Sequence, residues 1–570
     1  MAVFDFQVTH NHPNFSAERL HLLIELRDAR TSLSHSGFRE TSRAGNIIAG
    51  SIPTESLHEY KQEPAVLLVE STRQIKDELD DSIVAIRLRD SADVRQIPSR
   101  GQGAIIGVID SGFELTHPCF RDDEGRTRIL SAWDQIVDGE TTGRSPKEFG
   151  YGTEYAQTEI DEFASKGQTL LIKNDSRAGS HGTAVAGIAA GNGVPFGIYE
   201  GMAPEAKLIL VSYRNDVPIG GSAFILDAIS YILRVAKSQR KPVVINLSQG
   251  DNLGAHDGSS LLERAIDYLL ANEPLLIVNS AGNGRGGQRH TQGRLYHDNE
   301  HFVQFTFTKD QVVDDDTIDL WYAGTDRFSL AVKTPAGYQS EFVPAGCEAV
   351  INFPGGGTAH VYSEIDFPTN HDNRISIVFG NRERWEPGEW AIVLRGDLVR
   401  NGMFHAWTDR PNAVSAITFT NPSDDYIVTL PGTAHHIITV TGFVSRPVNA
   451  DAGRTRGELA GGTSFGPTRD ARLKPDLTGP SSMIMAPRLT GGVGGMPLYA
   501  PNSGTSMAAP HVTGIIALVW ALKPSMEPKE IRAALYTSAA ADQFTKEVPN
   551  FLWGRGKADA SGLYHALFNV

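Results

Sequence analysis

At 570 residues, 40% of them hydrophobic, the chain has room for two to four domains with ordinary cores, which excludes a fibrous or disordered protein. Its 52 basic against 67 acidic side chains give a net charge of −15, which favours solubility and offers nucleic acid no basic footprint. No uninterrupted apolar run approaches the roughly 20 residues that cross a bilayer, so no membrane partner is expected. The opening MAVFDFQVTHNHPNF has neither a basic stretch nor a continuous apolar one, and the two cysteines, Cys119 and Cys347, are too few for a disulfide framework. Both features lead to the expectation of a cytoplasmic or other intracellular compartment.

Residues 1–97 read as a small α+β module. LHLLIEL (20–26) and AVLLVES (65–71) have the texture of strands, Ser71 is placed to cap a short helix through Leu79, and SIVAIRL (82–88) supplies a further strand. A polar linker, DSADVRQIPSRGQG (90–103), follows and is interrupted by Pro98. Residues 98–296 alternate short β-branched runs with helical stretches, the pattern of a parallel sheet covered on both faces. The strands are AIIGVID (104–110), KLILVSY (207–213), PVVINLS (242–248) and PLLIVNS (274–280); Ser222–Lys237 and Ser260–Ala271 have helical spacing. In such a sheet chemistry gathers at the carboxyl ends of the strands, where Asp110, Ser248 and Asn283 fall.

Residues 297–424 change texture. FVQFTF, TIDLWYAG, RFSLAV, RISIVFG, EWAIVLRG and MFHAWT alternate apolar with polar residues between glycine- and proline-rich turns, which predicts an inserted antiparallel β-sandwich of jelly-roll type. Helical and parallel texture returns over 425–570, starting with HHIITVTG (435–442). The fold class is therefore α/β, carrying an inserted sandwich and a small N-terminal module.

Four segments carry chemistry. IIGVIDSGFELTHP ends a buried strand in Asp110, whose carboxylate can hold the tautomer of an imidazole; Asp-Ser-Gly alone is equally a turn. SHGTAVAGIAAG puts His181 at the start of a small-residue helix, where a lone histidine satisfied by backbone is the alternative. LLIVNSAGNGRG places Asn283 just beyond a central strand, able to donate to an oxyanion or simply to turn the chain. NSGTSMAAPHVTGIIALVWAL is the most specific: Gly504-Thr505-Ser506 leads into a helix whose first turn accommodates Pro510, so the serine hydroxyl and N–H lie at the positive helix end. No HExxH or CxxC spacing calls for a metal, and GGVGG (491–495) follows no strand–helix pattern, so no cofactor is expected. His435-His436 reads as surface and core alternation on a strand.

In the order Asp, His, Asn, Ser, these segments resemble the subtilisin family over roughly residues 101–296 and 425–570. The resemblance implies a serine endopeptidase in which Asp110 orients the base, His181 is general base and then acid, Ser506 is the nucleophile, and Asn283 joins the Ser506 N–H in the oxyanion hole. INLSQG (245–250) is similar to the family's substrate-binding edge, so Ser248, Gln249 and Gly250 would pair with the substrate and wall its primary pocket. TRILSAWDQ (127–135), FGYGTEYAQTEID (149–161) and AHDGSSLLE (255–263), with the insertion, resemble the Csp-type bacterial branch, some members of which have damaged triads. Cys119 stands where many relatives carry a calcium-ligating aspartate, and the loop GNGVPFGIYEG (191–201) offers only Glu200, so that calcium site is not expected.

A peptide or protein substrate is the expected partner. A catalytically silent scaffold binding a protein, and acyl transfer to an amine, remain as alternatives. By the same resemblance, the N-terminal segment would act as an intramolecular chaperone and inhibitor, cut within Val94–Arg100, or else stay as a permanent domain.

Overall fold

The computed structural model of the chain describes residues 3–4, 19–33, 37–53, 63–71, 76–77, 85–88, 96–137, 144–173, 180–194, 199–214, 221–307, 316–380, 385–409, 417–446, 453–489 and 498–568. Its centre is an eight-stranded sheet built from β1 (Ile105–Asp110), β2 (Ile129–Asp134), β3 (Thr153–Ala156), β4 (Lys207–Ser212), β5 (Val243–Leu247), β6 (Leu275–Ser280), β7 (Ile438–Phe443) and β8 (Leu477–Pro480), in the order β3-β2-β4-β1-β5-β6-β7-β8. Only β3 pairs antiparallel. Alternate residues face opposite layers, as strand geometry requires. Ile106 and Val108 of β1 join helices α1 (Ser180–Ala190) and α4 (Thr505–Leu522) in one core, while Ile105 and Ile109 join α2 (Gly221–Ser238) and α3 (Leu261–Asn272) in the other. Among the described residues α4 alone is long and apolar enough to cross a bilayer, and 89% of that stretch is buried in protein.

The N-terminal residues form a five-stranded sheet of Val3–Phe4, Val66–Ser71, Arg19–Leu26, Ile47–Pro53 and Arg39–Ala44, in that order. One face keeps its own core, with Leu22, Ile24 and Ile48. The other puts Leu23, Ala44, Ile47, Ala49 and Leu68 into the core that covers α2 and α3. At this junction Arg264 of α3 holds the buried Glu25 at 2.5 Å, and the Thr41 hydroxyl donates to Asp227 of α2 at 2.7 Å. Of the helix expected from Ser71 to Leu79, Ser71 and Lys76–Asp77 are strand residues, while residues 72–75 and 78–79 lie outside the described residues. Of the strand expected over 82–88, residues 82–84 lie outside the described residues and residues 86–88 form bends, with Ile86, Leu88 and Ile97 buried in the core that also holds residues of α1 and α4. Two-residue pairing is a tertiary event that local propensity does not foresee.

Between His290 and Phe419 lie two antiparallel sheets, one of six strands and one of four, sharing a core that includes Phe305, Ile318, Leu330, Ile377, Trp390 and Phe404. The first of these strands, His290–Arg294, starts ahead of residue 297 and pairs with Met403–Thr408. Its sequence, HTQGR, lacks the apolar alternation that marks the others.

Candidate active site

The carboxyl ends of β1, β5 and β6 and the start of α4 converge on one place. Asp110 closes β1 and is fully buried, with one carboxylate oxygen accepting the Ser111 N–H at 2.8 Å. The same oxygen lies 2.7 Å from His181 Nδ1, so the imidazole is held through Nδ1 and turns Nε2 to the other side. His181 is the second residue of α1, and Gly182 lets the helix come this close: a Cβ there would stand 2.3 Å from the Gly112 carbonyl and 2.9 Å from the Asp110 Cβ. The dyad is shielded from water, with side-chain exposures of 5% and 0%, which strengthens the hydrogen bond.

Ser506 is the second residue of α4 and is buried. Gly504, with φ at +134°, makes the entry to the helix in a conformation closed to residues with a Cβ. Pro510 is the sixth helical residue, past the first turn where it was expected. It has no N–H for the Ser506 carbonyl one turn back, and the Ser248 hydroxyl fills that gap, donating to Ser506 O at 2.9 Å. Ser248 is in turn held by Asn246 Nδ2 at 2.9 Å, whose Oδ1 accepts from Thr513 of the same helix at 3.1 Å. The side chain of Ser248 thus faces the helix. The histidine of the serine motif, His511, sits inside α4 against Met507 O at 2.8 Å, and burial pushes it down to about 4.

Asn283 is fixed by its carbonyl, which accepts the Thr505 N–H at 3.0 Å and the Thr505 hydroxyl at 3.3 Å. That pins the orientation of the amide. Its Nδ2 is buried and meets no acceptor among the described residues. An unpaired buried donor costs roughly 1–3 kcal/mol.

Gln249–Gly250 form a short strand at the edge of the site, tied down by Asn279 Nδ2 on Gln249 O (3.3 Å) and by Tyr213 OH on Gln249 Oε1 (3.1 Å). Its free edge is occupied by the chain itself. Lys76–Asp77 pairs with it antiparallel, Gln249 opposite Asp77 and Gly250 opposite Lys76. The four expected chemical residues therefore lie on elements that meet, and Ser248, Gln249 and Gly250 run alongside. Sequence reading missed Thr505, which aims Asn283, and the link from Ser248 to Ser506; Pro510, four residues after Ser506, was the available signal for the second. Among the described residues no group of three His, Cys, Asp or Glu side chains is arranged to hold a metal. Cys119 is buried beside His117 at 3.0 Å, and Glu200 is ion-paired to Arg100 at 2.6 Å. GGVGG (491–495) lies outside the described residues.

A parallel sheet covered by helices, with an Asp–His pair, an aimed asparagine amide and a helix-start serine at its carboxyl end, defines a subtilisin-like architecture. The chain belongs to the subtilase family, peptidase group S8: the family's model matches residues 101–306 and 352–556. It is 24% identical over 517 residues to the minor extracellular protease Vpr of Bacillus subtilis strain 168, a match covering 85% of this chain and 54% of Vpr. It is 25% identical over 516 residues to the C5a peptidase of Streptococcus pyogenes serotype M1, covering 80% of this chain and 38% of the peptidase. The chain thus spans about half or less of these relatives. The structure of the Clostridium perfringens CspB protease superimposes with a TM-score of 0.69 at 24% identity, covering 83% of this chain and 94% of that one, and so shares its fold.

The match to Vpr corrects the intracellular expectation, since that relative is extracellular by name. The expectation had leaned on the scarcity of cysteine. A chain of this size with several extensive cores has no need of disulfides in any compartment, so two cysteines do not report a reducing one.

Proposed function

We propose that the chain is a serine endopeptidase that hydrolyses peptide bonds through an acyl-enzyme on Ser506. The observation that carries this reading is the buried 2.7 Å contact between His181 Nδ1 and Asp110, with the Asn283 amide aimed by Thr505. As Ser506 Oγ attacks the scissile carbonyl, its proton passes to His181 Nε2. Asp110 holds the imidazole and favours the imidazolium. The oxyanion takes hydrogen bonds from Asn283 Nδ2 and the Ser506 N–H, the latter at the positive end of α4. His181 returns the proton to the leaving amine, and water repeats the sequence in reverse to free the acid. The substrate is a peptide or protein segment extended along Gln249–Gly250, and by analogy with Vpr the site of action is outside the cell.

The finer readings rest on the same ground. The antiparallel unit is read as a jelly-roll sandwich that supplies no catalytic group. The N-terminal segment is read as an intramolecular inhibitor, which the pairing of Lys76–Asp77 with the edge strand supports, since a substrate would need the same hydrogen-bonding groups. A fluorophosphonate probe tests the central claim: it should label the parent chain and not Ser506→Ala, and only the parent should turn over a peptide. Labelling or turnover by Ser506→Ala would refute it.

A further inference from the structure

The strand Gln249–Gly250 runs directly into the loop 251–260, and that loop is held by the antiparallel unit at several points. At its start Asp251 also bridges Leu430, in the segment that follows the antiparallel unit, with hydrogen bonds of 2.9 and 2.8 Å. One residue on, Asn252 is 3% exposed and its amide donates to the carbonyl of Thr408, the last residue of the Met403–Thr408 strand, at 2.8 Å. His256 stacks face to face on Trp407 of that strand, centroids 4.2 Å apart and planes 10° from parallel. Its φ of +51° is a conformation that costs a non-glycine residue energy unless the surroundings impose it. Here they do. Its two ring nitrogens lie 2.9 Å from the Val428 and Asn252 carbonyls.

The far end of the loop is clamped as well. Asn370 of the antiparallel unit donates to Asp257 at 2.9 Å. Arg469 donates through Nε to Ala255 O at 2.7 Å, through Nη2 to Asp257 at 2.5 Å and through Nη1 to Asp372 at 2.6 Å, joining loop and antiparallel unit in one planar fork. The Arg469 side chain is only 10% exposed. A surface connection after an edge strand would ordinarily be mobile. This one is buried nearly throughout, and its polar groups are met by the antiparallel unit on one side and by the 425–570 segment on the other.

We propose that the rim of the antiparallel unit, where Thr408 meets Asn252, Asn370 meets Asp257 and Asp372 is tied to the loop through Arg469 of the segment that follows the unit, positions the substrate-binding edge Gln249–Gly250, so that the inserted unit sets how tightly extended substrates are held; the side chains that carry this are Asn252, Asn370 and Arg469. These three are positioning residues that act through the loop and touch no reacting atom. The inference rests on the peptidase reading for the identity of the edge strand. Since the edge pairs with substrate backbone before and during reaction alike, its misalignment weakens ground state and transition state together, which raises KM and spares kcat.

The test compares the parent chain with Asn252→Ala and Asn370→Ala on two substrates, a peptide reaching at least four residues to the amino side of the scissile bond and a single-residue ester that does not reach the edge. For the long peptide each variant should show a roughly three- to tenfold higher KM with kcat within about twofold, the factor that one hydrogen bond carries. For the ester KM should not move. Both variants should keep full labelling by the fluorophosphonate probe, and loss of labelling in the parent would count against the peptidase reading alone. Equal KM values for the long peptide in parent and variants, or equal shifts for both substrates, would overturn the proposal. Should Asn252→Ala fail to fold, Asn370→Ala decides alone, because its amide sits at the rim and leaves the Asp257–Arg469 pair in place.

Discussion

The hydroxyl of Ser248 donates to the carbonyl of Ser506 at 2.9 Å, in the place of the N–H that Pro510 lacks. Ser248→Ala takes this donor from a buried carbonyl, and the fold should lose about 1–3 kcal/mol. In a Pro510→Ala background the helix N–H is restored and can reach the same carbonyl, so the cost of Ser248→Ala should fall below about 1 kcal/mol. Denaturant unfolding of the four chains gives the double-mutant cycle. Additive losses would show that the two residues do not serve one carbonyl.

Asn283 has a donor and an acceptor with separate duties. Asn283→Asp keeps an acceptor for the Thr505 N–H and removes the amide donor, so it should retain near-parental stability while kcat falls roughly a hundred- to a thousandfold with KM little changed. That magnitude is the one found when a single oxyanion-hole donor is removed. Steady-state kinetics beside a thermal melt separates the two duties. Near-parental kcat in Asn283→Asp would leave the residue as a turn former only.

Acid should weaken the fold through histidines buried neutral. Burial pushes His405 and His21 down to about 3, and it holds His290, 3.1 Å from His405, well below the ordinary value. Unfolded, each titrates near 6.5. Between about pH 6.5 and 3 the unfolded chain therefore binds protons that the native chain refuses, and stability present above 6.5 is lost as pH falls, at about 1.4 kcal/mol per pH unit for each such group. Urea midpoints at pH 7, 6 and 5 should fall for the parent and fall less steeply for His405→Gln. Parallel slopes would rule His405 out.

Ile86, Leu88 and Ile97 bear on where the N-terminal segment can be severed. All three lie in the core with α1 and α4, and each buried aliphatic side chain contributes roughly 1.5–3 kcal/mol. A chain starting at residue 98 should therefore melt well below one starting at residue 85, and a mature chain that stays folded should keep residues 85–97. Intact mass of the purified parent and of Ser506→Ala, followed by melts of the two truncations, checks this. Equal melting of both would favour a cut within Val94–Arg100.

The central strands were legible because each is a short apolar run bounded by small or polar residues, and both faces of such a sheet are buried. IIGVID and LLIVNS could be placed to within a residue. The serine helix was legible because glycine, threonine and small residues surround Ser506 in an order that packing alone does not require. What stayed hidden depends on partners distant in sequence. Nothing in KD announces that Lys76–Asp77 will pair with Gln249–Gly250, and nothing in DNLGAH announces that Asn252 and His256 will be claimed by Thr408 and Trp407. Glu25 and Arg264, far apart along the chain, look like ordinary surface charges until the N-terminal sheet is laid on α3.

Helix α4 is apolar on every side, and it lies against β5, β6, β7, β8 and α1 at once. Its lining strands come from both sides of the antiparallel insertion and all precede it in the chain, so the packing that places Ser506 needs the whole sheet. A partly made chain holds Asp110 and His181 but lacks the serine until every one of those strands has been made. By the peptidase reading, a molecule that is still being made cannot yet cut its neighbours, and the gate on its chemistry is the completion of its own sheet.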